Sequence, residues 1–148
     1  MILFSYLDEG RSDVAHDAEP HFLTGVRDLV IVGAGPAGAS AALGALTQRR
    51  DAKVLILDRA SIGRDKSCGD GIAPHAIDVL RAIGGPTTFD GHPPIPTLEL
   101  RNGEHGVMRD MRRPALVVPR ATFDAGIATA ALERGAQFVK EQLRSVEQ

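Results

Sequence analysis

Residues 33–38 read Gly33-Ala34-Gly35-Pro36-Ala37-Gly38, a G-x-G-x-x-G spacing. Each glycine meets a different demand. Gly33 permits a tight turn, Gly35 lets the backbone come close to a pyrophosphate, and Gly38 lets a helix pack closely on the preceding strand. Pro36 suits the first turn of a helix. With Ala37 and Gly38 it would stand at the positive end of the helix dipole, where unpaired N–H groups attract phosphate. Asp58 follows Gly38 by 20 residues, the place of a carboxylate that accepts hydrogen bonds from a ribose hydroxyl. The spacing alone is weak evidence. Its rivals are a glycine turn in an unrelated α/β protein and a solvated acid at a strand end, so the context has to decide.

The context satisfies each requirement. Leu29-Val30-Ile31-Val32, just before the turn, is the apolar run expected of a parallel strand buried on both faces. The alanine-rich stretch from Pro36 to about Arg49 predicts a helix with small, closely packing side chains. Val54-Leu55-Ile56-Leu57 predicts a second buried strand ending at Asp58, parallel to the first through a right-handed crossover. Residues 59–72 hold Gly63, Gly69 and Gly71 among five charged side chains and read as a long loop. Pro74 opens a helix to about Ile83, closed by Gly84-Gly85-Pro86. After a Pro-rich stretch, Thr97–Arg101 and His105–Met111 read as strands around the turn pair Asn102-Gly103. Leu116-Val117-Val118 reads as another short strand, Ala121–Arg134 as a helix capped by Gly135, and Gln137–Val139 and Leu143–Val146 as strand pieces. Residues 1–27 show no sustained period and read as a loosely ordered N-terminal extension.

Composition removes several function classes. The chain has 148 residues, 43% of them hydrophobic and 24% charged, which is ordinary for a globular protein with a real core. A net charge of −2 gives no electrostatic case for nucleic acid. No apolar run approaches the roughly 20 residues that span a bilayer, and Met1–Asp13 lacks the basic start of a secretory signal. Cys68 is the single cysteine, so there is no disulfide within the chain and no redox dithiol, as fits a cytoplasmic protein. His16, His21, His92 and His105 lack metal-ligand spacing, His75 reads as a surface residue near a helix start, and no metal site is expected.

Asp58 disfavours NADP, whose 2′-phosphate it would repel, but does not separate FAD from NAD. The next segment does. Gly63-Arg64-Asp65 followed by Lys66-Ser67-Cys68-Gly69-Asp70-Gly71-Ile72-Ala73-Pro74-His75-Ala76 resembles the K-P-C-G-x-G segment of the geranylgeranyl reductase family of FAD-dependent oxidoreductases. The resemblance continues at Arg120-Ala121-Thr122-Phe123-Asp124, similar to the family's R-x-x-F-D, and at Gly135-Ala136. It covers about residues 28–146, and the wording around Cys68 is most similar to actinobacterial members that reduce the menaquinone side chain. Ser67 stands where the family usually has proline.

The resemblance implies FAD as cofactor, with contacts at Gly38, Asp58, Cys68, Gly69, Gly71 and Arg120. The residues agree in part. Gly69 and Gly71 would let a loop pass close to a flat ring, and Arg120 would reach phosphate or ribose oxygens from a helix start. Gly33, Gly35, Pro36 and Ala37 complete the expected cofactor contacts. Arg59 reads equally as a contact to adenine or phosphate and as a surface arginine. Cys68 reads as a small residue beside the cofactor, or alternatively as a group in proton delivery or substrate contact; no catalytic residue is assigned beyond it.

The expected fold is α/β. It is a Rossmann-like FAD-binding βαβ unit with an antiparallel β insertion at about residues 92–118, in the manner of glutathione-reductase and hydroxylase-like flavoproteins. Residues 28–148 form its N-terminal part and leave the sheet incomplete. The implied function is reduction of isoprenoid C=C bonds, with a prenyl substrate and an electron donor as partners. Contact with a membrane surface is expected for such a substrate, although no amphipathic anchor is visible. The alternatives are an FAD-dependent monooxygenase or hydroxylase-like protein and a non-catalytic FAD-binding fragment. Weak FAD binding without turnover is expected of these residues alone.

Overall fold

The computed structural model describes residues 25–145. The expected extension at 1–27 falls mainly outside them. The element order is β1 (Leu29–Val32), α1 (Pro36–Gln48), β2 (Val54–Asp58), β3 (Gly71–Ile72), α2 (Pro74–Ala82), β4 (Ile95–Asn102), β5 (His105–Val117), α3 (Arg120–Glu133) and β6 (Gln137–Lys140). The strands form two sheets: a parallel one in the order β1-β2-β6 and an antiparallel one in the order β3-β5-β4. The fold is α/β, as the sequence patterning predicts.

In the parallel sheet β2 is central, pairing Val30 with Leu55 on one side and Phe138 with Ile56 on the other. Its side chains alternate between faces. Val54 and Ile56 enter the main core with Ala39, Ala42, Leu43 and Leu46 of α1 and Ile127, Ala128 and Ala131 of α3. Leu55 and Leu57 join Val139 and Val30 in a separate cluster. Alanines on both facing helices allow α1 and α3 to approach closely over the sheet.

β1 departs from expectation. Its residues are half-buried or exposed, and Val32 is 60% exposed. The cause is topological: among the described residues β1 has a partner on one edge only, whereas β2 has two. β-branched composition predicted the strand correctly, but its burial depends on neighbours that composition does not reveal.

The other corrections concern long-range pairing. The segments expected at His105–Met111 and Leu116–Val118 belong to one 13-residue strand, β5, that ends at Val117. Its register with β4 breaks between Ile95↔Ala115 and Thr97↔Asp110. Pro96 and Pro114 flank that break, and neither has an N–H to give to the ladder. The turn lies one residue later than predicted: Asn102 still pairs with His105, leaving Gly103, at φ 59°, and Glu104 as the loop. The loop at 59–72 ends in the short strand β3, which pairs Gly71 with Val117 and Ile72 with Leu116. Residues 143–145, expected to be strand, have no regular structure, and Val146 lies outside the described residues.

Candidate functional site

The glycine turn connects β1 to α1 and is held from β2. The Gly33 N–H donates to the Leu57 carbonyl at 2.7 Å, and Gly33 adopts φ +108°, a conformation that favours glycine. A Cβ on Gly38 would run into the Gly33 carbonyl oxygen and press on Ile31 Cγ2, so helix and turn touch there with no room for a side chain. Gly35 is the N-cap of α1, and Pro36 opens the helix. The first internal helix bond runs from the Ala39 N–H to the Gly35 carbonyl at 2.9 Å. The N–H groups of Ala37 and Gly38 precede it and point out of the helix end, with no side-chain cap and no acidic residue in the first turn.

Asp58, at the end of β2, is half-buried beside this turn. Its Oδ2 accepts from the Ala34 N–H at 2.8 Å and its Oδ1 from the Ala60 N–H at 2.9 Å. Burial pushes its carboxyl upward. The two backbone donors and the charges of Lys66 and Arg64 outweigh that and hold it below the ordinary carboxylate range. Asp58 is therefore ionised at neutral pH. It braces the turn, and each oxygen keeps a second lone pair for another donor. Arg59 is exposed beside it.

A second group of side chains converges on the same turn. The Lys66 ammonium lies 3.1 Å from where a Gly35 Cβ would stand. Its Nζ is 3.2 Å from Asp124 Oδ2. Arg120, the first residue of α3, binds the same carboxylate with two prongs, Nε to Oδ1 at 2.8 Å and Nη2 to Oδ2 at 2.9 Å. The Arg120 guanidinium also faces the Cys68 thiol and lowers its pKa.

The antiparallel sheet builds this cluster. Pairing of β3 with the end of β5, with the Val118 N–H donating to the Asp70 carbonyl at 2.9 Å, carries the Cys68 loop to the start of α3. Asp70 sits between two glycines at φ 56°, a conformation that aspartate tolerates better than most residues. Cys68 is exposed, and its thiol is held below its ordinary pKa by a hydrogen bond from the Asp70 backbone and then by Arg120. A Cβ on Gly69 would meet open space and one on Gly71 only the Gly69 carbonyl oxygen at 3.9 Å, so nothing in the protein itself crowds that stretch. His75 is exposed at the start of α2.

The structure thus joins Gly33, Gly35, Gly38 and Asp58 in one unit and Cys68 with Arg120 in another, and Lys66 links the two. Sequence reasoning assigned no role to Lys66 or Asp124. Asp124 carried a usable signal, the i,i+4 spacing from Arg120 that pairs opposite charges on a helix. Lys66 carried none, because its partner is 58 residues away.

Comparison with known proteins bears on this arrangement. No protein-family model matches the chain. A menaquinone reductase of Mycolicibacterium smegmatis is 35% identical over 119 residues, 76% of this chain and 28% of that protein. Over those residues the chain is homologous to the N-terminal portion of that reductase. A digeranylgeranylglycerophospholipid reductase of Methanopyrus kandleri is 35% identical over 115 residues, 74% of this chain and 28% of that protein. The chain spans somewhat over a quarter of the length of these relatives.

Among solved structures, a geranylgeranyl bacteriochlorophyll reductase-like protein of Thermoplasma acidophilum superposes with a TM-score of 0.60 at 22% identity, over 76% of this chain and 29% of that one. A flavin-dependent brominase superposes as well, with a TM-score of 0.61 at 22% identity over 77% and 29%. The fold is therefore shared by proteins of different chemistry. No helix among the described residues is long and apolar enough to cross a membrane.

Proposed function

We propose that this chain is the dinucleotide-binding portion of an FAD-dependent reductase of isoprenoid C=C bonds. The observation that carries the reading is the convergence on the glycine turn of a free helix N-terminus, the Lys66 ammonium and the Asp58 carboxylate. The donor set fits a dinucleotide. The N–H groups of Ala37 and Gly38, with Lys66 and Arg120, match the two negative charges of a pyrophosphate. Asp58 offers ionised oxygens to ribose hydroxyls. Gly38 cannot carry a side chain without displacing the turn. Gly69 and Gly71 leave backbone bare where a flat ring would pass, and Cys68 stands beside them, exposed and shifted toward its thiolate.

Reduced flavin, when bound, supplies a hydride to one alkene carbon. The chain's own residues would bind and orient it: the turn and Lys66 would hold the diphosphate, Asp58 the ribose, and Arg120 would face the Cys68 thiol. The isoprenoid substrate class is carried over from the names of the two reductases, which act on menaquinone and on a digeranylgeranyl lipid.

Calorimetric titration of the purified chain with FAD, NADH and NADPH tests the cofactor. FAD binding tighter than either nicotinamide dinucleotide is expected, and a preference for NADH would overturn it. The 148 residues alone are expected to bind FAD weakly and turn over nothing. Alkene reduction on addition of dithionite would refute that part. With the longer protein, a product that incorporates dioxygen would replace the reductase reading by a monooxygenase one.

A further inference from the structure

We infer that Asp124 is the positioning residue of the pyrophosphate site: its buried carboxylate holds Arg120 beside Lys66, whose ammonium lies against the glycine turn. This role rests on the dinucleotide reading of the site. Asp124 is the buried charged residue among the described ones, 3% exposed, on a helix face otherwise given to Phe123, Ile127, Ala128 and Ala131. Burying a carboxylate is costly unless it is paired and hydrogen-bonded. For stability alone, the two-pronged bond from Arg120, four residues away on the same helix, would satisfy both oxygens. The chain nevertheless brings a second cation to Oδ2 from 58 residues away and leaves that ammonium over Gly35.

Two cations on Asp124 leave one positive charge in excess; the Asp58 carboxylate faces it, but Arg64 faces Asp58 too, so the turn keeps a net positive charge. That excess is what a pyrophosphate needs, and both cations are already oriented before it arrives, which reduces the ordering cost of binding. From the same anchor Arg120 faces the Cys68 thiol. One helix residue thereby sets the lysine at the turn and the arginine at the loop.

The test uses the full chain and two probes, ADP and adenosine, which differ in the diphosphate. Asp124→Asn is expected to weaken ADP binding by about tenfold or more while leaving adenosine binding unchanged, and Asp124→Glu is expected to recover part of the loss. A readout independent of any ligand comes from the single cysteine. Charged groups facing Cys68 are Arg120 and Asp70. If Asp124 positions Arg120, the pH midpoint of Cys68 alkylation rises in Asp124→Asn because Arg120 leaves the sulfur. If Asp124 acted only through its charge, its removal would lower that midpoint.

Equal losses for ADP and adenosine, an unchanged ADP affinity, or an alkylation midpoint that stays or falls would each overturn the role. Should Asp124→Asn fail to fold, Lys66→Ala and Arg120→Ala carry the test: sharing one anchor makes their effects on ADP non-additive, and strict additivity would overturn it. Wild-type chain that binds neither ADP nor FAD would sink the dinucleotide reading and this role with it, whereas wild-type binding with an indifferent Asp124→Asn sinks the role alone.

Discussion

Two glycines of α1 make a controlled experiment. Gly38 and Gly44 lie in the same helix, and replacing either by alanine gains about 0.8–1.0 kcal/mol of helix propensity. Their surroundings differ. At Gly44 a new methyl would meet Ile83 Cγ2 at 3.9 Å, ordinary contact distance, so Gly44→Ala is expected to stabilise by up to about 1 kcal/mol. At Gly38 the methyl would run into the Gly33 carbonyl, which is backbone and tied through Gly33 to Leu57 of β2. Relief requires α1 to shift away from the sheet, and overpacking of this kind costs about 1–3 kcal/mol or more.

Both variants share the helix gain, so the overpacking cost alone sets them apart, by about 1–3 kcal/mol; net of that gain Gly38→Ala is expected to lose up to about 2 kcal/mol. For a chain of this length that corresponds to midpoints separated by roughly 3–12 °C in a thermal melt followed by circular dichroism. The displaced turn should also weaken ADP binding in Gly38→Ala by about tenfold, with Gly44→Ala unaffected. Melting points of the two variants within a degree of each other would refute the claim that helix and turn are in contact at Gly38.

The remaining expectations are briefer. Asp58 has its folded pKa below the ordinary 3.8, so the unfolded chain binds its proton first on acidification. Its contribution is fully present above that value and is lost as pH falls through the lower folded one. Asp58→Asn should therefore flatten the acid limb of the stability profile below about pH 4.5, and an unchanged limb in urea melts would count against the bracing role. Alkylation of Cys68 by iodoacetamide should show a midpoint below 9.0 in the wild type, moving up in Arg120→Ala; identical profiles would remove Arg120 from the sulfur. Arg134 donates to Thr47 Oγ1, the Ile83 carbonyl and the Gly84 carbonyl, joining α3 to the ends of α1 and α2. Arg134→Ala should lower stability by about 1–2 kcal/mol without changing ADP affinity, and weaker ADP binding would contradict a purely structural clasp.

What could be read from the sequence was whatever local rules determine. The strand, turn, helix and strand from Leu29 to Asp58 were legible because glycine spacing, proline at the helix start and β-branched runs act within a few residues. β3 was not, because Gly71-Ile72 has no strand pattern of its own and exists as a strand through its pairing with Leu116 and Val117. The same pairing is why Lys66 was missed. Its ammonium reaches Asp124 because β3 and β5 fold the loop back onto α3, a relation that no window of sequence contains.

Asp58 shows a subtler limit. Its spacing pointed to a ribose, and the structure gives its Oδ2 to the Ala34 N–H of the glycine turn. Under the proposed dinucleotide reading the two roles would use different lone pairs and reinforce each other: the bond that braces the turn also fixes the carboxylate where a sugar above the turn would meet it. A spacing rule can therefore point to a residue through its effect on a ligand while the residue also acts on its own backbone. Replacement by asparagine tests the charge while keeping one brace: its amide oxygen can still accept from Ala34, its NH2 would face the Ala60 N–H, and it brings no charge to the ribose.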